Sequence, residues 1–288
     1  MREQAQAMLA SIRTYWRAAQ SYQRVLYFVG FLLVLSAMFH GVVLVAMRDS
    51  LEGDVSWRKP ILFGESFGLT CVSVAWVMTF LAKWRFVGWL LSLALGLASA
   101  YEVIWVSFQQ WRGVPSHFNN ATPFDQSLFA LAGISIGFTG IVILVVTIWA
   151  FVRLEAPPSF VWAIRVGLAL LLLGQVFGIP MIQLGGHTFA PAGNMKVPHA
   201  LALHGAQVLP LLACLLSLAS WSETRRMRII VAGAAGYCVL VAVGAFQAFR
   251  GQAPFNLSLA TAFVLLVGAT LLAGAYLTAV LGVRKMAH

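Results

Sequence analysis

VLYFVGFLLVLSAMFHGVVLVAM, residues 25–47, contains no Asp, Glu, Lys or Arg, and its most polar side chain is His40. As an α-helix rising about 1.5 Å per residue it is about 35 Å long, enough to cross the roughly 30 Å hydrocarbon core of a bilayer. Hydrocarbon offers no partner to backbone N–H and C=O groups, so a helix is the form that satisfies them. Outward from this segment the pattern recurs seven times, at about 61–82, 86–108, 127–152, 160–184, 198–221, 229–249 and 258–283. The 288-residue chain is 60% hydrophobic and 10% charged, against about a quarter charged for a soluble domain. The expected fold class is therefore an all-α membrane protein with eight transmembrane helices and the lipid bilayer as its first partner.

The net charge of +10 is spread over short loops and helix ends, with no basic domain, so nucleic acid is not an expected partner. The charges orient the helices instead. Arg2, Arg13, Arg17, Arg24, Lys83, Arg85, Arg153, Arg225, Arg226, Arg228, Arg284 and Lys285 fall on one side of an alternating topology. Arg48, Arg58, Lys59, Arg112, Lys196 and Arg250 fall on the other. The positive-inside rule then places both termini in the cytoplasm and predicts a multi-pass protein of a bacterial cytoplasmic (inner) membrane. Residues 1–23, with apolar positions at helical spacing opposite a basic face, read as an interfacial helix rather than a cleavable signal. Cys71, Cys214 and Cys238 lie inside apolar spans with no CxxC pair, as small core residues do.

Two phrases repeat. FQQWRGVPSHFN (108–119) matches FQAFRGQAPFN (246–256), an offset of 138 that Pro60 and Pro198 share. VGFLLVLSAMFHG aligns with VGLALLLLGQVFG at 137, pairing Gly30 with Gly167 and Gly41 with Gly178. The chain thus reads as two parallel four-helix repeats, 24–155 and 156–288, after the N-terminal segment 1–23. Within the phrase, the Arg-Gly pair suits a helix end with a snorkelling arginine and a left-handed glycine cap. Only the first copy carries a histidine, His117. In the fourth span, FALAGISIGFTG (129–140) offers small residues for close helix contact. Trp57, Trp84, Trp111 and Trp221 stand at span ends as interfacial anchors, and Arg165 can snorkel.

Ionisable groups inside a membrane are costly and mark functional candidates. His40, Glu65, Glu102, Asp125, His117, Gln175, Gln183, His187, His199, His204, Gln207 and Gln247 all fall toward the extracytoplasmic side. The expected site draws His40, His199, His204 and Glu65 as ligands of a transition metal, with His40 and His204 also able to hold a haem. Glu102, Glu65, His117 and Arg112 are the candidate catalytic or entrance residues. His199 and His204, five apart on a regular helix, point about 140° apart, unlike the HExxH spacing. His204 and Gln207 share a face. Plainer readings stand beside these, with His40 as a hydrogen-bonded packing residue and the two glutamates as interhelical hydrogen-bonding groups. No Walker loop, Rossmann fingerprint or nucleophile elbow is present.

SHFN (116–119) together with VPHALALHGAQVLP (197–210) resembles an uncharacterised bacterial family of multi-pass membrane proteins over most of the chain. The resemblance implies the fold and no activity. In organisation alone, two parallel four-helix halves with outward histidines look like haem A synthases. The histidines here occupy helices 1 and 6 and the loops rather than matching positions in both halves, so that family's haem ligands are not carried over. The expected function is a metal- or haem-dependent membrane enzyme or redox protein acting on a small membrane-soluble or periplasmic-side ligand. A proton-coupled transporter or permease is the alternative, and a structural or assembly subunit the third. The sequence leaves oligomeric state open.

Overall fold

The computed structural model describes residues 10, 13–48 and 52–284. Its helices are α1 (Ser21–Met47), α2 (Arg58–Val77, continued by a 3-10 turn Met78–Phe80), α3 (Arg85–Trp111), α4 (Pro123–Val152), α5 (Pro158–Gln183), α6 (Lys196–Leu203), α7 (Gly205–Ser217), α8 (Glu223–Phe249) and α9 (Leu259–Arg284). A two-residue antiparallel pair, β1 (Thr188–Phe189) and β2 (Gly193–Asn194), folds the loop before α6. Counting α2 with its 3-10 turn and α6 with α7, eight helical stretches among the described residues are long and apolar enough to cross a membrane. Large apolar side chains remain exposed along them, Val45, Leu97 and Phe263 among them. A contiguous apolar surface on that scale belongs against hydrocarbon. Of the N-terminal segment, 13–18 are helical, and Tyr15 and Trp16 pack on Tyr27 of α1. Residues 1–9, 11–12, 49–51 and 285–288 lie outside the described residues.

The chain divides into two compact units, Met1–Val142 and Ile143–His288, with the boundary inside α4. In the first, α1 and α2 meet backbone to backbone. A Cβ on Gly68 would lie 2.8 Å from the Gly30 carbonyl oxygen and 2.7 Å from Val34 Cγ2; one on Gly64 would lie 2.7 Å from the Leu33 carbonyl oxygen. Only glycine permits that approach, which raises dispersion contact between helices that gain no hydrophobic drive from lipid. The small residues expected to make close contact on α4 divide: Ala132 and Ser135 are buried against α3, whereas Cβ atoms at Gly133, Gly137 and Gly140 would meet nothing within 4 Å. Period and residue size identify a small-residue stripe but not the helix that faces it.

In the second unit Gly167 of α5 approaches Gly205, where a Cβ would sit 2.8 Å from the Gly205 carbonyl oxygen. The regular helix expected through His204 is interrupted there. His204 ends α6 and precedes α7, its carbonyl accepting from both Gln207 and Val208 N–H. Tyr237 donates to the Leu201 carbonyl and Tyr276 to the Val208 carbonyl, each at 2.6 Å. The first hydroxyl occupies an acceptor beside the break and the second an acceptor two residues before Pro210. The core of this unit is Met195, Leu209, Leu212, Leu216, Ile230 and Tyr237.

Candidate functional site

Glu102, Trp105 and Gln109 follow one another at spacings of three and four on α3, so they share one face. All three are buried, although α3 also carries exposed Leu97, Ile104 and Trp111. That face meets α4. Ser135 donates a hydrogen bond to Glu102 Oε1, and Trp105 Nε1–H donates to Oε2 at 3.2 Å. Tyr101 of α3 donates to the Leu128 carbonyl at 2.9 Å, fixing the same two helices together. Burying a carboxyl is costly unless its oxygens are bonded, and here both oxygens are bonded by neutral donors. Among the described residues no Lys or Arg forms an ion pair with it.

His117 sits above this carboxyl on the loop that joins α3 to α4. Its ring centroid lies 5.1 Å from that of Trp105, 5.2 Å from Phe63 and 6.1 Å from Phe129, and Ser116 Oγ is 2.9 Å from its Nδ1. Phe118 takes a positive φ of 57° that turns the loop back onto Phe129. The indole of Trp105 therefore touches the histidine on one side and donates to Glu102 on the other. Beside Ser135, a groove of about 350 Å³ opens between α3 and α4, lined by Ala94, Leu97, Ala98, Tyr101, Leu131 and Phe138 as well as Ser135 itself.

His40 belongs to a different cluster in the same unit. Its Nδ1–H donates to the Ser36 carbonyl at 2.8 Å, and its Nε2 accepts from Trp111 Nε1–H at 3.2 Å. The ring stacks on Trp57 at 5.8 Å, and Trp57 meets Trp111 edge-on at 4.8 Å. Trp57, expected as an interfacial anchor, is instead buried in this stack, while Trp84 and Trp111 are exposed. Both ring nitrogens of His40 are engaged, so a metal or haem iron would have to displace the indole to reach Nε2. Glu65 is exposed on α2, and among the described residues its carboxylate has neither a hydrogen bond nor an ion pair.

Arg112, a candidate entrance residue, is ion-paired and about a third exposed, its side chain 33% accessible. Its guanidinium pairs with Asp125 at 2.5 Å and donates to Gln109 Oε1 at 2.5 Å, and Gln109 Nε2 donates to the same Asp125 oxygen at 2.8 Å. Thr122 donates to the other Asp125 oxygen at 2.6 Å and accepts from its N–H, so one residue pair also caps α4. Asp125 in the first turn faces the positive end of the helix dipole.

In the second unit His199 Nδ1–H donates to the Gly174 carbonyl at 2.7 Å, binding α6 to α5. Gly178 leaves room for the same ring, its hypothetical Cβ 3.7 Å from His199 Cε1. His204 lies at the α6/α7 break, half-buried like Gln207. Among the described residues no three His, Cys, Asp or Glu side chains are grouped so as to hold a metal ion.

Far along α1 from His40 lies a polar set that sequence reasoning did not single out. Gln23 Nε2 donates to the Ala75 carbonyl at 2.9 Å and to Thr79 Oγ1 at 3.1 Å, and Tyr15 reaches both Thr79 and Tyr27 through its hydroxyl. Gln20 and Gln23 also form a capping box at the start of α1. That box, two glutamines three apart before an apolar run, was the available signal. No family model matches the chain, and no curated protein or solved structure matches it either.

Proposed function

We propose that this is a multi-pass membrane protein that takes a membrane-soluble molecule with a carbonyl or hydroxyl head into the α3/α4 groove and exchanges a proton with it through Ser135 and Glu102. The observation that carries the reading is the double position of Ser135, which lines an apolar groove and is bonded to a buried carboxyl. An apolar tail suits the groove walls. A polar head can replace or share the Ser135 hydroxyl, and the carboxyl can hold or release the proton at Oε1. Trp105 fixes the other carboxyl oxygen, and His117 with Phe63 and Phe129 covers Trp105. This keeps the membrane-soluble substrate of the sequence reading. A metal or haem enters it only if His40 gives up Trp111 and further ligands gather around it.

The test is solvent extraction of purified protein with mass spectrometry of the extract, comparing wild type, Ser135→Trp and Glu102→Gln. A carbonyl- or hydroxyl-bearing lipid retained near one per chain in wild type and lost in Ser135→Trp is expected. Identical extracts from all three proteins would overturn the proposal. Elemental analysis and an absorption spectrum of the same sample test the metal and haem form separately. The transporter reading shares Glu102, and predicts substrate flux in proteoliposomes that Glu102→Gln abolishes.

A further inference from the structure

Every side-chain proton donor along the α3/α4 groove is already committed. Ser135 directs its one hydroxyl proton to Glu102 Oε1, and Tyr101 directs its own to the Leu128 carbonyl at 2.9 Å. Trp105 N–H, beside them, is held by Glu102 Oε2 at 3.2 Å. The other lining residues, Ala94, Leu97 and Phe138 among them, have no polar side-chain atom. A hydroxyl carries one proton and two acceptor lone pairs. Among the described residues, Ser135 Oγ and Tyr101 Oη each make only the bond they donate. The groove therefore offers an incoming molecule acceptors and no donor.

The polar atoms also lie toward one end. Contacts pair Gln109 with Asp125, Trp105 with Phe129 and Glu102 with Ser135, so α3 and α4 run antiparallel. Tyr101 and Ser135 then stand nearer the α3–α4 loop than Ala94 and Phe138, which leaves a purely apolar end for a tail. At the offset of 138 that the repeated phrases share, Tyr101, Glu102 and Ser135 correspond to Val239, Leu240 and Ala273. There α8 and α9 close on each other, a Cβ on Gly236 lying 2.6 Å from the Gly268 carbonyl oxygen. The three polar groups are absent together where the helices touch, and present together where a groove of about 350 Å³ parts them.

We propose that the groove selects an amphiphile whose head is a hydroxyl group over the same chain ending in a carbonyl or an ether, which narrows the head named in the proposed function and rests on that proposal. The head's O–H donates to Ser135 Oγ. A carbonyl head finds a donor only if Ser135 turns its proton away from Glu102, and that strands a buried carboxyl oxygen. An unbonded buried acceptor costs more than one new hydrogen bond returns. An ether head fails for the same reason. The alcohol instead completes a single donor line, from its head to Ser135 Oγ and from Ser135 to Glu102 Oε1, along which a proton leaves the head for the carboxyl.

Competition in nanodiscs of the full chain tests this. Labelling by a diazirine fatty alcohol is read on the peptides that carry Tyr101 and Ser135, in the presence of hexadecanol, hexadecyl methyl ketone or hexadecyl methyl ether. Hexadecanol is expected to protect at about one-tenth of the concentration that the ketone or ether requires, the difference of one hydrogen bond made or stranded. Glu102→Gln separates selection from packing. The amide keeps an oxygen for Trp105 N–H and turns its N–H₂ to Ser135 Oγ, so the serine proton is freed toward the groove. The ketone and ether should gain on the alcohol in that variant, whereas a merely structural role for Glu102 would weaken all three alike. Equal protection by alcohol and ketone in wild type, or an unchanged order in Glu102→Gln with its fold intact by circular dichroism, overturns the inference and leaves the groove as a binding site. Labelling of these peptides that no competitor reduces and Ser135→Trp does not abolish overturns the groove reading and this inference with it.

Discussion

Replacing Gly68 by alanine tests where the first unit is held together. The new Cβ would lie 2.7 Å from Val34 Cγ2, 2.8 Å from the Gly30 carbonyl oxygen and 3.1 Å from Val34 N. Carbon contacts settle near 3.5 to 4.0 Å, so α1 and α2 must part by roughly 0.7 Å at this level. Two of the three neighbours are backbone atoms and cannot rotate aside. Overpacking of this kind costs about 1–3 kcal/mol, while the helical preference of alanine over glycine returns about 0.5–1 kcal/mol. The expected net loss is about 1–2 kcal/mol. Gly137→Ala is the internal control, because its Cβ would meet nothing within 4 Å and only the favourable helical term applies. Sodium dodecyl sulfate titration in mixed micelles, followed by tryptophan fluorescence, reads both. Gly68→Ala should unfold at lower detergent fraction than wild type and Gly137→Ala at an equal or higher one. If Gly68→Ala matched wild type, or Gly137→Ala lost as much, the backbone contact between α1 and α2 would be refuted.

Gly113 and Gly251 both need a left-handed conformation, so alanine costs about 1–2 kcal/mol at either. At Gly251 the Cβ would also meet Ala190 Cβ at 2.7 Å and Pro191 Cδ at 2.9 Å, whereas at Gly113 it would meet nothing within 4 Å. Gly251→Ala should therefore lower the unfolding midpoint more than Gly113→Ala, and equal losses would contradict the packing of the β1–β2 loop on α8. Trp111→Phe removes the indole N–H from His40 Nε2. Diethyl pyrocarbonate, mapped by mass spectrometry, should modify His40 in that variant and spare it in wild type; equal modification would contradict the bond.

The membrane spans were legible because a run of twenty or so uncharged residues has few other uses. The expected window 25–47 and the helix Ser21–Met47 share their C-terminal end. The helix begins earlier because Gln20 and Gln23 cap it, a hydrogen-bond device that hydropathy does not register. The break at His204 was illegible for a similar reason. It depends on Gly205 meeting Gly167 and on the hydroxyl of Tyr237, partners that come from other helices. The candidate residues were found by their cost in hydrocarbon, which picks out Glu102, His40 and Asp125 without naming their partners. Asp125 meets Arg112 across a loop, Glu102 meets Ser135 thirty-three residues on, and His40 meets Trp111 seventy-one residues on. Ser135 has no charge to draw notice, and only its bond to Glu102 gives it a role.

The central claim, that a membrane-soluble molecule enters beside Ser135 and reaches Glu102, is tested most directly by photolabelling in nanodiscs with an alkyl-diazirine fatty alcohol and mapping the labelled peptides. The account predicts labelling concentrated on residues 94–101 and 131–138, lost in Ser135→Trp and weakened in Glu102→Gln. Labelling spread over all exposed apolar helices in proportion to their surface, and unchanged in both variants, would contradict it.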